Sequence, residues 1–178
     1  MFVILDRDGV INHDSEEYIK SPEEWLPIAG SLEAIARLNQ ADIQVFVATN
    51  QSGVNRGYYD EATLEDIHNK MHEALKTVGG HIDGLYYCPH HPDENCSCRK
   101  PRTQMLEKIA RDFNVDLHDA IFIGDSWRDM EAAMAVGAKP VLVMTGNGED
   151  TLHSIEDLRE VTVYSNLSEV VDDILSER

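Results

Sequence analysis

The sequence predicts an α/β fold, a doubly wound and mainly parallel sheet. Short, nearly continuous apolar runs alternate with longer amphipathic segments, as parallel strands covered on both faces require. That alternation implies right-handed crossovers. The first four apolar runs each lead into a polar segment, and ligands of such sheets sit beyond the carboxyl ends of the strands.

The elements follow in order. Phe2–Leu5 is wholly apolar and reads as the first strand, and Ser31–Gln40 as an amphipathic helix. The apolar run Ile43–Ala48 is a second strand, Asp60–Val78 a long helix, and Leu85–Tyr87 a short third strand. Thr103–Phe113 is helical, Ala120–Ile123 a buried strand, and Trp127–Val136 helical again. Pro140–Met144 is a fifth strand, Val161–Tyr164 a weaker sixth, and Leu167–Leu175 a final helix. There is no repeat, linker or low-complexity segment, so the 178 residues are expected to form one domain, 1–178.

Composition narrows the function. A chain that is 42% hydrophobic can bury a core, which excludes general disorder. Its 33 acidic and 15 basic residues give a net charge of -18. That field repels nucleic acid and anionic membranes, so neither is expected as a partner. No run approaches a membrane span, and Met1–Leu5 meets Asp6 without the basic flank of a signal peptide. The expectation is a soluble, cytoplasmic protein and a monomer.

Four polar segments should converge on one rim: Asp6-Arg7-Asp8-Gly9-Val10-Ile11-Asn12, Thr49-Asn50-Gln51-Ser52-Gly53, Arg99-Lys100-Pro101 after Cys88, and Gly124-Asp125-Ser126-Trp127-Arg128-Asp129. Two carboxylates at i and i+2 beyond a buried strand suit a nucleophile and a general acid/base. Gly9 permits a tight turn there. Asp6, the Asp8 carbonyl and Asp125 offer the few hard oxygens that magnesium takes. Asp125-Ser126 also reads as a helix cap, with Asp129 favouring the dipole. Six of the 15 basic residues (Arg7, Arg56, Arg99, Lys100, Arg102, Arg128) lie in or beside these loops. In so acidic a chain that concentration marks a local anion site, with Lys100 as point charge and Arg99 as bidentate donor.

All three cysteines fall between Cys88 and Cys98. An odd, clustered set is a metal site rather than a disulfide framework. Cys88, Cys96 and Cys98 with His90 or His91 make a closed tetrahedral zinc set, structural rather than catalytic. Trp25, beside Leu26 and Pro27, reads as packing, whereas Trp127 could line the rim or pack. The acidic pairs Glu156-Asp157 and Asp172-Asp173 read as solvated surface.

The Asp6-Arg7-Asp8-Gly9 segment, Thr49, Lys100 and Gly124-Asp125 match, in order, the four motifs of the haloacid dehalogenase-like (HAD) phosphatases. From Phe2 to about Gly146 the chain resembles that superfamily. The resemblance implies a HAD-type Rossmann-like fold with Asp6 as nucleophile, Asp8 as general acid/base, and Thr49 and Lys100 stabilising the transferring phosphoryl group. It also implies magnesium on Asp6, the Asp8 carbonyl and Asp125. The Cys88–Cys98 loop running into Arg99-Lys100-Pro101 is similar to a narrower zinc-loop subgroup, which places His90 at the zinc. That subgroup contains D-glycero-D-manno-heptose 1,7-bisphosphate 7-phosphatases and histidinol-phosphate phosphatases.

Gln51-Ser52-Gly53 and Arg56 resemble the heptose branch, in which that stretch contacts the sugar phosphate. Asp14 falls in a segment that lines the family's pocket. The implied substrate contacts are Asp14, Asn50, Gln51, Ser52, Arg56, Arg99 and Lys100. The implied activity is removal of the 7-phosphate of a heptose bisphosphate, in heptose supply for surface polysaccharide. One feature departs: five residues separate His90 from Cys96, a compact loop also typical of the histidinol branch. No insertion is long enough for a large cap domain, so the zinc loop and His13–Tyr18 must shape the pocket. Two rivals remain: histidinol-phosphate phosphatase, and a non-catalytic zinc-stabilised binding module that releases no phosphate.

Overall fold

The computed structural model describes residues 1–155 and 159–177. The Glu156-Asp157 pair lies outside the described residues. Six strands form one parallel sheet: β1 (Phe2–Leu5), β2 (Val45–Asn50), β3 (Gly84–Cys88), β4 (Ala120–Gly124), β5 (Lys139–Val143) and β6 (Thr162–Tyr164). Their order is β3-β2-β1-β4-β5-β6. The chain therefore winds outward from β1 in one direction and then, from β4, in the other. The switch falls between β1 and β4, where ligands of such sheets bind.

The helices are α1 (Ser31–Gln40), α2 (Glu61–Thr77), α3 (Gln104–Phe113), α4 (Trp127–Ala135), α5 (Gly148–Ser154) and α6 (Leu167–Ser176). Alternate strand residues feed opposite cores, as the period of two dictates. Val3, Leu5, Val45 and Val47 pack with Ile35, Leu38, Met71 and Val171 from α1, α2 and α6. Phe2, Ile4, Phe46 and Ala48 pack with Leu106, Ile109 and Ala133 from α3 and α4. No helix among the described residues is long and apolar enough to cross a membrane.

Three differences from the sequence reading have local causes. The second strand begins at Val45, because Ile43 closes the end of α1: its N–H donates to the Leu38 carbonyl, after Asp42 at φ 58. At its far end, Thr49 and Asn50 stay in the ladder opposite Tyr87 and Cys88. The sequence does not predict helix α5, since Gly-Glu-Asp-Thr-Leu-His-Ser carries almost no apolar period. Trp25 is buried in the core. Trp127 packs with Met130, Leu142 and Val161 and is not among the cleft-lining residues. The surface pair on α6 is engaged: Asp172 meets Arg37 at 2.5 Å, and Asp173 accepts the Tyr164 hydroxyl.

Candidate active site

Leu5 lies level with Val47 on one side and Ile123 on the other. Asp6 therefore emerges one residue further on, at the switch point. It opens a cleft of about 400 Å³ lined by Asp6, Asp8, Asn50, Gln51, Ser52 and Asp125. The outer wall comes from Asp14, Ser15, Glu16, Tyr18 and Ile19 of the β1–α1 segment and from Pro92 of the cysteine loop.

Lys100 organises the floor. Its ammonium is buried, 3.0 Å from Asp6 Oδ1 and 2.7 Å from Asp129 Oδ1, and it donates to the Ala48 carbonyl at 2.8 Å. Three acceptors thus take its three N–H bonds. Burial opposes its charge, but Asp129 and Asp6 hold its pKa above the usual lysine value. Its backbone is fixed by Asn50, which receives the Lys100 N–H at Oδ1 and donates Nδ2 to the Lys100 carbonyl.

One ligand oxygen each from Asp6, Asp125 and Asp129 lies within 4.8 Å of the others. Burial raises Asp6 well above the usual carboxylate range against the pull of Lys100, with Asp129, Asp125 and Asp8 adding to the rise. Burial and Asp129 push Asp125 up to about 7. Three carboxylates facing one ammonium leave the cluster short of positive charge, and hard oxygen donors are what magnesium takes. The donor set fits that ion.

Asp8 is set differently. Its carboxylate accepts from Arg7 Nε (3.0 Å) and Nη2 (2.8 Å), Asn12 Nδ2 (2.9 Å) and Gln51 Nε2 (2.8 Å). Burial works against ionisation, yet Arg7, Asn12 and Gln51 bring its pKa below the ordinary value. Gln51 is fully committed, donating also to Thr49 Oγ1 and accepting from Arg7 and the Tyr59 hydroxyl. Thr49 is therefore buried beneath Gln51 and absent from the cleft lining.

Of the six clustered basic residues, Arg56, Arg99, Lys100 and Arg128 line the cleft. Arg7 is fully buried behind Asp8, and Arg102 bonds the Cys96 carbonyl in the cysteine loop. Gly9, at φ 81, has no room for a side chain, because a Cβ would collide with the Asp125 carboxylate.

The cysteine loop continues β3. Cys88 Sγ lies 3.4 Å from His90 Nδ1 and 3.6 Å from Cys96 Sγ, and His90 Nδ1 lies 3.1 Å from Cys98 Sγ. Three thiols and one imidazole converge, the donor set of a closed zinc site. His91 is outside the cluster and accepts the Asp93 N–H at the start of a short 3-10 turn. Arg99 and Lys100 follow Cys98 directly, so a metal there would fix the approach of Lys100 to the floor.

Asn147, Tyr59 and His68 lie outside the segments that the sequence brings to the rim, whereas Asn12 and Asp129 close two of those segments without a role in the site being assigned to them. Asp129 had a local signal, its spacing from Asp125, but that spacing equally fits the capping role it also fills toward Ser126. The rest are tertiary neighbours with no sequence pattern.

His68 makes a pH prediction. Its Nε2 lies 3.2 Å from Arg7 Nη1, and burial, with Arg7 and His72, brings its pKa from 6.5 down to about 3. Between those values the unfolded chain binds a proton that the folded chain excludes, so the His68 contribution falls as pH falls. His68→Gln keeps an acceptor for Arg7 and removes the titration. From pH 7 to pH 5, denaturant unfolding should show wild type losing roughly 2 kcal/mol relative to the variant. A pH-independent gap would contradict this.

A parallel sheet with carboxylates and a lysine at its switch point is the layout of haloacid dehalogenase-like hydrolases. The HAD-hydrolase-like family model matches residues 97–174. The D-glycero-beta-D-manno-heptose-1,7-bisphosphate 7-phosphatase of Bordetella bronchiseptica is 50% identical over 98% of both chains. The protein of that name from Pseudomonas putida is 50% identical over 97% of this chain and 98% of its own. The crystal structure of D,D-heptose 1,7-bisphosphate phosphatase from B. bronchiseptica, complexed with magnesium and phosphate, covers 100% of both chains at a TM-score of 0.97 and 50% identity. The chain belongs to the family of D-glycero-beta-D-manno-heptose-1,7-bisphosphate 7-phosphatases, within the haloacid dehalogenase-like hydrolases.

Proposed function

We propose that this chain removes the 7-phosphate of D-glycero-D-manno-heptose 1,7-bisphosphate by way of an aspartyl phosphate on Asp6. The observation that carries the reading is the Lys100 ammonium seated between Asp6 and Asp129, beside Asp125, in a cleft with arginines along its wall. The near full-length likeness to phosphatases of that name supports the substrate.

In this reading the Asp6 carboxylate attacks phosphorus, and the bond to the sugar oxygen breaks. The incoming phosphate raises the proton affinity of Asp8, since nearby negative charge disfavours the ionised form. Asp8 then protonates the leaving oxygen. In the second half Asp8 takes a proton from water, which attacks the acyl phosphate and releases inorganic phosphate. Lys100 exchanges its contact with Asp6 for a phosphoryl oxygen, and Asp129 keeps its ammonium in place. Arg56, Arg99 and Arg128 receive the phosphate that is not transferred, as guanidinium groups suit. Asp14 and the Gln51-Ser52 turn shape the sugar end, and Asn50 and Gln51 act chiefly by holding Lys100 and Asp8.

Asp6, Asp125 and the Asp8 carbonyl would hold magnesium, with Asp129 at hand. Bound there, the ion would neutralise phosphoryl charge and keep Asp6 ionised. Zinc on Cys88, His90, Cys96 and Cys98 would be structural. Residues 1–178 act in this reading as one catalytic domain and as a monomer, in the cytoplasm, where thiol ligands stay reduced.

The test is phosphate release with magnesium from heptose 1,7-bisphosphate and from histidinol phosphate, side by side. The bisphosphate should win in kcat/KM by at least about tenfold. A preference for histidinol phosphate would overturn the substrate, and no release from either would overturn the enzyme reading.

A further inference from the structure

The segment Thr145-Gly146-Asn147, between β5 and α5, reaches back to the ends of β1 and β4. Thr145 Oγ1 donates to the Gly9 carbonyl at 2.6 Å. Gly146, at φ 59, packs so tightly that a Cβ would strike both Gly9 and Asp125. Asn147 then donates three bonds. Its backbone N–H donates to Asp125 Oδ2 at 2.8 Å, and its side-chain Nδ2 donates to the same oxygen at 3.1 Å and to Asp14 Oδ2 at 2.7 Å.

Asp125 and Asp14 come from different loops and carry like charge, so they repel across the cleft. A single amide satisfies both. Because both donors to Asp125 meet Oδ2, Oδ1 is left as its less committed oxygen for a cation. Asn147 itself is exposed, so its side chain is not needed to fill the core.

We propose that Asn147 is a positioning residue that ties the substrate wall at Asp14 to the cation-holding carboxylate of Asp125. Substrate affinity and magnesium affinity then pass through one amide. The substrate half rests on the phosphatase reading above, whereas the magnesium half does not.

The experiment compares wild type, Asn147→Ala, Asp14→Ala and the double variant. Calorimetric titration with magnesium alone, without substrate, should show Asn147→Ala raising the dissociation constant about fivefold, the size expected for the net loss of one hydrogen bond at an exposed side chain while the backbone donor to Asp125 remains. In steady-state kinetics the same variant should raise KM for the sugar bisphosphate about fivefold with kcat within about twofold. In the Asp14→Ala background, Asn147→Ala should change KM by less than about twofold, because the partner is gone. An equal change of KM in both backgrounds, or an unchanged magnesium constant, would overturn the proposal. If wild type fails to turn over the bisphosphate, the phosphatase reading falls, and the magnesium titration still decides on Asn147.

Discussion

Asp6→Asn is expected to lower phosphate release by about 10⁴-fold or more, the scale on which loss of a nucleophile acts. The amide has nearly the shape of the carboxylate and can still accept the Arg7 N–H that Asp6 Oδ1 takes at 2.7 Å. It removes one charge from a cluster of three carboxylates, two of which burial already pushes toward the neutral form. The variant should therefore unfold no more easily than wild type. Phosphate release and denaturant unfolding on the same preparation check both halves. Activity within tenfold of wild type would exclude Asp6 as the attacking group.

Lys100→Met should be the most destabilising change in the site. Methionine replaces the stem but leaves Asp6 and Asp129 facing each other without the ammonium between them. Removing one partner of a buried ion pair costs about 3–5 kcal/mol, because the other charge stays buried and unpaired. Asp6 loses its largest ionising influence and moves further up, so the acid limb of the pH–rate profile shifts to higher pH. Activity should fall by about 10²–10³-fold, as for removal of a single transition-state donor. Saturating magnesium should restore part of the stability, since a cation relieves the same repulsion. A variant as stable as wild type at low magnesium would show that Lys100 does not balance the cluster.

Much of this arrangement is legible in the sequence, for physical reasons. The Phe2–Leu5 strand and the Ser31–Gln40 helix keep the bounds that their apolar patterns predict, because burial on one or two faces sets those patterns. The cysteine cluster reads from spacing alone, since so few side chains can hold a soft metal. Spacing alone leaves its imidazole open between His90 and His91, the resemblance gives it to His90, and the His90 ring is the one that joins the three thiols while His91 accepts the Asp93 N–H.

What escaped is tertiary. Arg7 reads as one more cation near the anion site, yet it lies buried behind Asp8, bonded to His68 and Gln51 from other elements. Asp129 reads only as a charge that favours the dipole of the following helix, yet one of its oxygens accepts from Ser126 in a capping box while the other meets Lys100. Thr145 and Asn147 follow a strand whose polar exit matches no motif, and they reach the site only through the close packing of Gly9 and Gly146. A single residue's chemistry is visible in a sequence; a second use for the same side chain is not.

The central claim is covalent catalysis by Asp6. The most direct test is a single-turnover reaction with heptose 1,7-bisphosphate, quenched in acid at millisecond times and analysed by peptide mass. Wild type should carry one phosphoryl group on the peptide containing Asp6, rising and then decaying as phosphate appears, and Asp6→Asn should carry none. Phosphate release from wild type without any such species at any quench time would mean that water attacks phosphorus directly, and the assignment of Asp6 would be wrong.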